Sequence, residues 1–286
     1  HLRHAVWRNI VALEARLDAL QPRPARVAVD LDFDGKTETL AHNAQVQIAV
    51  RDDGLAAAHE LVSYPLAHNF GDTLRRYHEH YHDKIASTPS EHHGEGIASA
   101  HDIVRFKHPV SADDIVPDPL PRALWLDDLD GAALTDYAPL APASLQFSRP
   151  GMVKTFALEG ATATVTWQCS GLAGQRLTTR LNLAMPSCDG FLGRYVLADG
   201  SIPGGFGQPL ELAEASALTL EDGVLGGRLD LQTSFSAQIS GRPQQTVSQS
   251  EAGFEKIMQA AEIAFSWQIP AAECTLQLQL TIAPKA

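Results

Sequence analysis

The chain has 286 residues, with 22 Lys and Arg against 34 Asp and Glu, a formal net charge of −12. A phosphate backbone is bound by clustered basic side chains, so this balance excludes nucleic acid as an expected ligand, and an anionic membrane surface with it. No apolar run approaches the length of a membrane span, and the chain is long enough for one large β domain or two ordinary domains.

The first element is a helix. Leu2, Val6, Ile10, Leu13, Leu17 and Leu20 recur at steps of three and four, which keeps them on one narrow stripe. Trp7 and Val11 widen that stripe at its flank. An amphipathic helix of this kind must pack on something, either its own domain or a partner outside this chain. The helix is expected over residues 1–20, a Pro-rich linker over 21–25, and one β domain over 26–286.

Beyond the linker the hydrophobic period changes to two. Val27, Val29, Leu31 and Phe33 alternate with polar residues; so do Val46, Ile48 and Val50, and near the end Ile263, Phe265, Trp267 and Ile269, then Leu276, Leu278, Leu280 and Ile282. Alternation of this kind marks half-buried strands of an antiparallel sheet. Asp-Gly pairs at 34–35, 53–54, 130–131, 189–190, 199–200 and 222–223 supply turns between strands. The expected fold is mainly β, a large antiparallel β-sandwich preceded by one N-terminal helix. Ser187 to Pro209, rich in Gly and Pro, is expected to form a long excursion on one rim.

Candidate chemistry is sparse. Asp30, Asp32, Asp34 and Gly35 open like a calcium loop, but Ala41 stands where an EF-hand needs its bidentate Glu. The same letters fit the polar side of a strand ending in a turn. A different calcium site using Asp30, Asp32, Asp34 and Glu38 stays open beside that reading. "RRYHEHYHDK" and "EHHGEG" hold five of the twelve histidines. A transition metal needs three or four convergent ligands, and packing among arginines and carboxylates is the plainer reading. His59 to Ser63 lacks the second histidine of a zinc protease helix, and no nucleophile elbow, phosphate loop or dinucleotide fingerprint is present. Asp113-Asp114 and Asp127-Asp128 read as solvated loop aspartates. Trp125, among acidic residues, fits a sugar platform or a strand end, whereas Trp167 and Trp267 fit core packing. Cys169, Cys188 and Cys274, widely spaced and odd in number, fit reduced thiols of a cytoplasmic protein better than a disulfide framework.

Several stretches, in order, resemble one family. "TVSQSEAGFEKIMQAAEIAFSW" from Thr246 to Trp267 is similar to the C-terminal β domain of family 57 glycoside hydrolases of the 4-α-glucanotransferase and α-amylase type. "HLRHAVW" resembles the helix that closes the preceding helical domain, "DFDGKTE" the start of the β domain, and "HNFGDTLRRYHEHYH" and "SAHDIVRFK" its middle. The segment from about Thr135 to Pro209 contributes only strand patterning. There are departures: Tyr77 replaces the second arginine of the family's Arg-Arg-x-Glu-x-Tyr-His, and a Gly-Gly pair usual before it is missing.

The resemblance implies a galactose-mutarotase-like supersandwich that follows a catalytic barrel and a helical domain. The two carboxylates of a retaining mechanism would then lie upstream of His1, and no catalytic residue is assigned within this chain. Expected partners are that upstream barrel and helical domain and an α-glucan or malto-oligosaccharide, with calcium as the one cofactor in question. Candidate sugar contacts are Glu251 and Glu255 first, then His101, Asp102 and Trp125. Two further readings are a structural buttress of the barrel and a free-standing mutarotase or epimerase, the latter requiring a histidine such as His101 to meet Glu251 in one pocket.

Overall fold

The structure, a computed structural model, describes residues 2–86, 107, 109–187, 191–250 and 253–284. One long helix, α1 (Leu2–Leu20), precedes the strands. In chain order these are β1 (Arg26–Val29), β2 (Glu38–His42), β3 (Val46–Arg51), β4 (Ala58–Ser63), β5 (His68–Asn69), β6 (Leu124–Leu129), β7 (Ala132–Ala133), β8 (Ala138–Pro139) and β9 (Gln146–Arg149). They continue with β10 (Met152–Glu159), β11 (Thr162–Ser170), β12 (Arg176–Leu183), β13 (Gly193–Val196), β14 (Gly204–Gly205), β15 (Leu210–Asp222), β16 (Gly227–Ser250), β17 (Gly253–Gln268) and β18 (Glu273–Pro284).

All pairings are antiparallel, and they resolve into two layers. The first runs β1-β2-β3-β4-β6-β12-β17-β16-β15. The second runs β8-β9-β10-β11-β18-β16-β15-β13-β14. The long strands β15 and β16 belong to both. Gly227–Thr233 pairs with β18 in the second layer, whereas Gln238–Ser250 pairs with β17 in the first. Register shifts between Leu212, Ala215 and Ala217 mark where the ribbon bends from one layer to the other. Apolar side chains of both inner faces fill the space between, among them Leu181, Ile263, Phe265, Leu276, Leu278 and Leu280. The expected sandwich and its alternating C-terminal strands are present. The expected strand through Phe33 is not: β1 ends at Val29, Phe33 is 91 % exposed, and Asp30, Asp32 and Asp34 sit in a loop. The rim excursion carries β13, which pairs with β15.

A charge lies inside this core. Lys154 on β10 is fully buried; its Nζ donates to Asp127 Oδ2 at 2.9 Å and to the Trp125 carbonyl at 2.5 Å, both on β6 of the other layer. Asp127 Oδ2 also accepts from Tyr137 Oη at 3.0 Å and Trp167 Nε1 at 2.9 Å. A bulge makes this possible. Leu124 pairs with Leu181 and Leu126 with Arg180, so Trp125 is the extra residue, at φ 59°. The insertion turns both Trp125 and Asp127 inward.

Helix α1 lies against the sandwich with the face opposite to the one its sequence advertises. Arg3 bonds Gln259 at 2.9 Å, His4 Nδ1 meets His68 Nδ1 at 3.0 Å, and Asp18 holds Arg23 at 2.7 Å, with Val11 buried between. Burial pushes the His68 imidazole down to about 4. Burial, then the neighbouring Glu14 carboxylate, pushes Glu60 up to about 7. The apolar stripe faces outward: Val6, Leu13 and Leu17 are more than half exposed and Leu20 is 84 % exposed. Among the described residues no helix is long and apolar enough to cross a membrane.

Removing one member of a buried ion pair leaves the other charged and unpartnered, at a cost of about 3–5 kcal/mol. Lys154→Met is therefore expected to lose that much in urea unfolding. Adding Asp127→Asn, which keeps an acceptor for Tyr137 and Trp167, should recover at least half. A double variant no more stable than the single one would contradict this assignment.

Candidate functional site

On the first layer α1 covers the outer face of the β3–β5 region, and the buried Gln47 and Ala49 of β3 reflect this. Farther along, no described residue covers the outer face of β6, β12, β17, β16 and β15. Strand alternation sends Leu177, Leu181 and Leu183 to the core and Arg176, Thr178 and Arg180 outward. β17 contributes Glu262, Ala264, Ser266 and Gln268, β16 Ser240 and Arg242, β15 Glu211, and β6 Asp128; together they line a groove of about 680 Å³. The Asp130-Gly131 hairpin closes one end; φ values of 50° and 84° at the two residues are those of the turn that a tight hairpin requires.

The groove is organised by charge. Asp128 is buried and holds Arg180 through a short contact; Glu262 accepts from Arg242 Nε and Gln244 Nε2, each at 2.6 Å. Thr178 and Ser266 share a hydroxyl hydrogen bond of 2.9 Å. The carboxylates thus form the floor, and the guanidiniums, Arg242 at 64 % exposure, reach towards solvent. Among the described residues, Arg176 and Glu211 have no side-chain hydrogen bond or ion pair, and the groove holds no histidine, cysteine or aromatic ring. With its buried carboxylates tied to arginines, such a surface suits hydrogen bonding to hydroxyls rather than proton transfer.

The sequence-predicted residues are not gathered here. Trp125 is fully buried against Phe156, ring centroids 5.7 Å apart, which leaves no free face for a sugar ring and corrects the platform reading. Glu255 pairs with Lys107 at 2.5 Å outside the groove lining. Glu251, His101 and Asp102 lie outside the described residues, as does "EHHGEG". Asp127 and Asp128 are not solvated loop aspartates; they sit buried on β6, one facing each side of the sheet. Of histidines 78, 80 and 82, His78 and His80 both reach Asp83, at 3.0 and 3.7 Å, and buried His82, its ring 6.1 Å from that of His78, accepts the Glu79 backbone N–H on Nδ1 at 3.1 Å; among the described residues they do not form a set of convergent metal ligands.

The acidic loop does converge. Asp30, Asp32 and Glu38 each place an oxygen within 4.8 Å of the others, a span that fits the roughly 2.3–2.6 Å oxygen shell of calcium. Arg51 already touches Asp32, Asp34 at 3.2 Å and Glu38 at 2.7 Å, one positive charge among four carboxylates. Loop amides complete the arrangement: Gly35 N–H donates to Asp30 at 3.0 Å and Leu31 N–H to Glu38 at 2.8 Å. The donor set fits calcium in kind and span but supplies three of the roughly six to eight oxygens calcium takes, and Asp34 stands outside the converging group.

Comparison with known proteins agrees with this architecture. The family described as "Alpha-amylase/4-alpha-glucanotransferase, C-terminal" matches residues 30–137 and 135–282. The α-amylase of Pyrococcus abyssi is 26 % identical over 292 residues, and the 4-α-glucanotransferase of Thermococcus litoralis 26 % over 291; each alignment takes in 94 % of this chain and 42 % of the relative. The chain therefore spans about two fifths of the length of the curated relatives it matches. The crystal structure of the Thermococcus litoralis 4-α-glucanotransferase superposes with a TM-score of 0.70 at 20 % identity, covering 99 % of this chain and 44 % of that one. The structure of HI1317 shares the fold, at a TM-score of 0.52 and 6 % identity over 91 % of this chain and 96 % of that one. With most of its length matched by that family, and with the sandwich the family's solved member displays, this chain belongs to the alpha-amylase/4-alpha-glucanotransferase C-terminal family.

Proposed function

We propose that this β-sandwich is the accessory C-terminal domain of a retaining α-glucan-acting enzyme, a glycoside hydrolase or 4-α-glucanotransferase, and that it holds a malto-oligosaccharide in the polar groove of its first layer. The groove carries the reading: an open sheet face of about 680 Å³ offers exposed guanidinium donors beside fixed carboxylate and hydroxyl acceptors. Glucan hydroxyls are both donors and acceptors, and such a face meets them in both capacities. In this proposal the two carboxylates of a retaining mechanism are supplied from outside this chain, which spans 42 % of the Thermococcus litoralis relative.

The apolar stripe on α1 supports the same reading from another side. Five large apolar side chains turned away from the sandwich form a surface of the kind that packs on a second domain. In this proposal the partner is the catalytic barrel and helical domain of the same enzyme. A second reading, the structural buttress, draws on the absence of any aromatic ring among the described residues of the groove lining. For a free-standing mutarotase, the pair it would need, His101 and Glu251, lies outside the described residues, and among the described residues the groove presents no histidine for proton transfer.

Calcium would be held by Asp30, Asp32 and Glu38, tightening the loop between β1 and β2 and offsetting the carboxylate repulsion that Arg51 alone leaves.

Calorimetric titration with maltoheptaose tests the sugar reading. The folded chain is expected to give a saturable heat, and Arg176→Ala with Arg242→Ala is expected to weaken affinity about tenfold, the equivalent of roughly 1.4 kcal/mol. A flat trace from folded protein would leave the buttress. For the metal, saturating calcium is expected to raise the melting temperature by ~5 °C, as binding to the folded state alone requires, and EDTA to reverse it. Asp32→Asn with Glu38→Gln should abolish the shift, and an unchanged melting curve with the native loop would remove calcium from the account.

A further inference from the structure

Two of the three cysteines face each other across adjacent strands. Cys169, next to last in β11, stands opposite Cys274, second in β18. Along β11 the alternating residues Ala163, Val165, Trp167 and Cys169 are buried, and along β18 so are Leu276, Leu278, Leu280 and Ile282, in phase with Cys274. Both thiols therefore point to the inner face, at the mouth of the space between the layers. In the same register, Gly171 N–H donates to the Ala272 carbonyl at 2.7 Å and Ile282 N–H to the Ala161 carbonyl at 3.0 Å. These bonds mark the cysteines as a hydrogen-bonded pair, whose Cα atoms lie about 5.5 Å apart in antiparallel sheets. That separation falls within the disulfide range of roughly 4.4–6.8 Å.

The Cβ atoms of directly opposed residues stand about 4.5–5.5 Å apart, against roughly 3.5–4.5 Å in a disulfide. In a hydrogen-bonded pair the separation stands at the far end of the first range, so closing it takes about 1 Å of strand movement, and the pair lies at a strand end, where such movement costs least. β11 ends one residue later at Ser170, followed by Gly171 at φ 72°, and β18 begins one residue earlier at Glu273. A cleft of about 600 Å³ touches both cysteines and gives a reagent access. Met152, the next residue across the ladder, is a thioether with no S–H and so does not enter thiol–disulfide exchange.

We propose that Cys169 and Cys274, free thiols in this structure, are the reduced form of a structural disulfide that staples the second layer. With glutathione disulfide as the oxidant, the more exposed Cys274 thiolate attacks one sulfur and expels a glutathione thiolate. Cys169 then loses its proton to solvent and displaces the second glutathione. Two protein thiols are oxidised, and one glutathione disulfide is reduced to two glutathiones. Burial pushes the Cys169 thiol up to about 12 and raises Cys274 as well, while Arg149, the guanidinium lining the cleft, is held by Asp136 at 2.7 Å. Among the described residues no cation activates either sulfur, so the step is slow. The bridge would close a loop of roughly 100 residues, and the restriction a cross-link places on the unfolded chain grows with loop length.

The test is incubation of the chain, both native and with Cys188→Ser, in glutathione disulfide at mildly alkaline pH, followed by thiol alkylation under denaturing conditions and peptide mapping. The peptides carrying Cys169 and Cys274 are expected to emerge linked, two hydrogens lighter than the reduced pair. The oxidised chain is expected to melt several degrees higher, reversibly with dithiothreitol. Full alkylation of both cysteines after oxidation would overturn the proposal. So would glutathione retained on Cys274 without the cross-link, since the second sulfur would then be out of reach.

Discussion

The salt bridge between Lys154 and Asp127 is the constraint from which the working face follows. It joins β10 of one layer to β6 of the other, inside a core that otherwise offers hydrocarbon. A charge in that position needs partners; Tyr137 and Trp167 supply them to Asp127 Oδ2 and the Trp125 carbonyl to Lys154 Nζ, while Asp127 Oδ1 is buried without one. Because β6 must present Asp127 inward, its neighbour Asp128 faces outward, and there it fixes Arg180 at the base of the groove. One bulge residue, Trp125, sets this phase. The core pair and the groove floor are thus two consequences of a single strand register.

The molecule separates its surfaces by task. The inner faces of both layers hold the apolar core. The outer face of the first layer is divided between a part covered by α1 and a part left open as the groove. On α1 polar and titratable side chains touch the sandwich, and the leucines look away. A helix attached through histidine, carboxylate and arginine contacts is a modest anchor, and its exposed apolar side gives it a second surface to satisfy.

Much of the fold was legible in the letters, because period-two alternation with Asp-Gly turns reports directly on half-buried antiparallel strands. The helix was legible as a helix, and so was its need for a partner; which face would meet the sandwich was not. Composition ranks the two faces by hydrophobicity, yet docking here rests on specific polar pairs such as Arg23 with Asp18 and Tyr64. The Asp30 loop was misread as strand because Leu31 and Phe33 keep the alternation after β1 has ended. The groove was hardest to foresee. Arg176, Thr178 and Arg180 do carry a polar alternation in "RLTTRLNL", but only strand pairing brings them beside Arg242 and Glu262, some sixty to eighty residues away in sequence. Asp127 and Asp128 look alike in sequence, and only the bulge tells them apart.

Hydrogen–deuterium exchange of the chain with and without maltoheptaose addresses the central claim residue by residue. Sugar held in the groove slows exchange along β12 from Arg176 to Arg180, β16 from Ser240 to Gln244 and β17 from Glu262 to Gln268, and leaves α1 and the Asp30 loop unchanged. Protection centred on α1 and β5, or none on any of those three strands at saturating sugar, would contradict the assignment of this face to glucan.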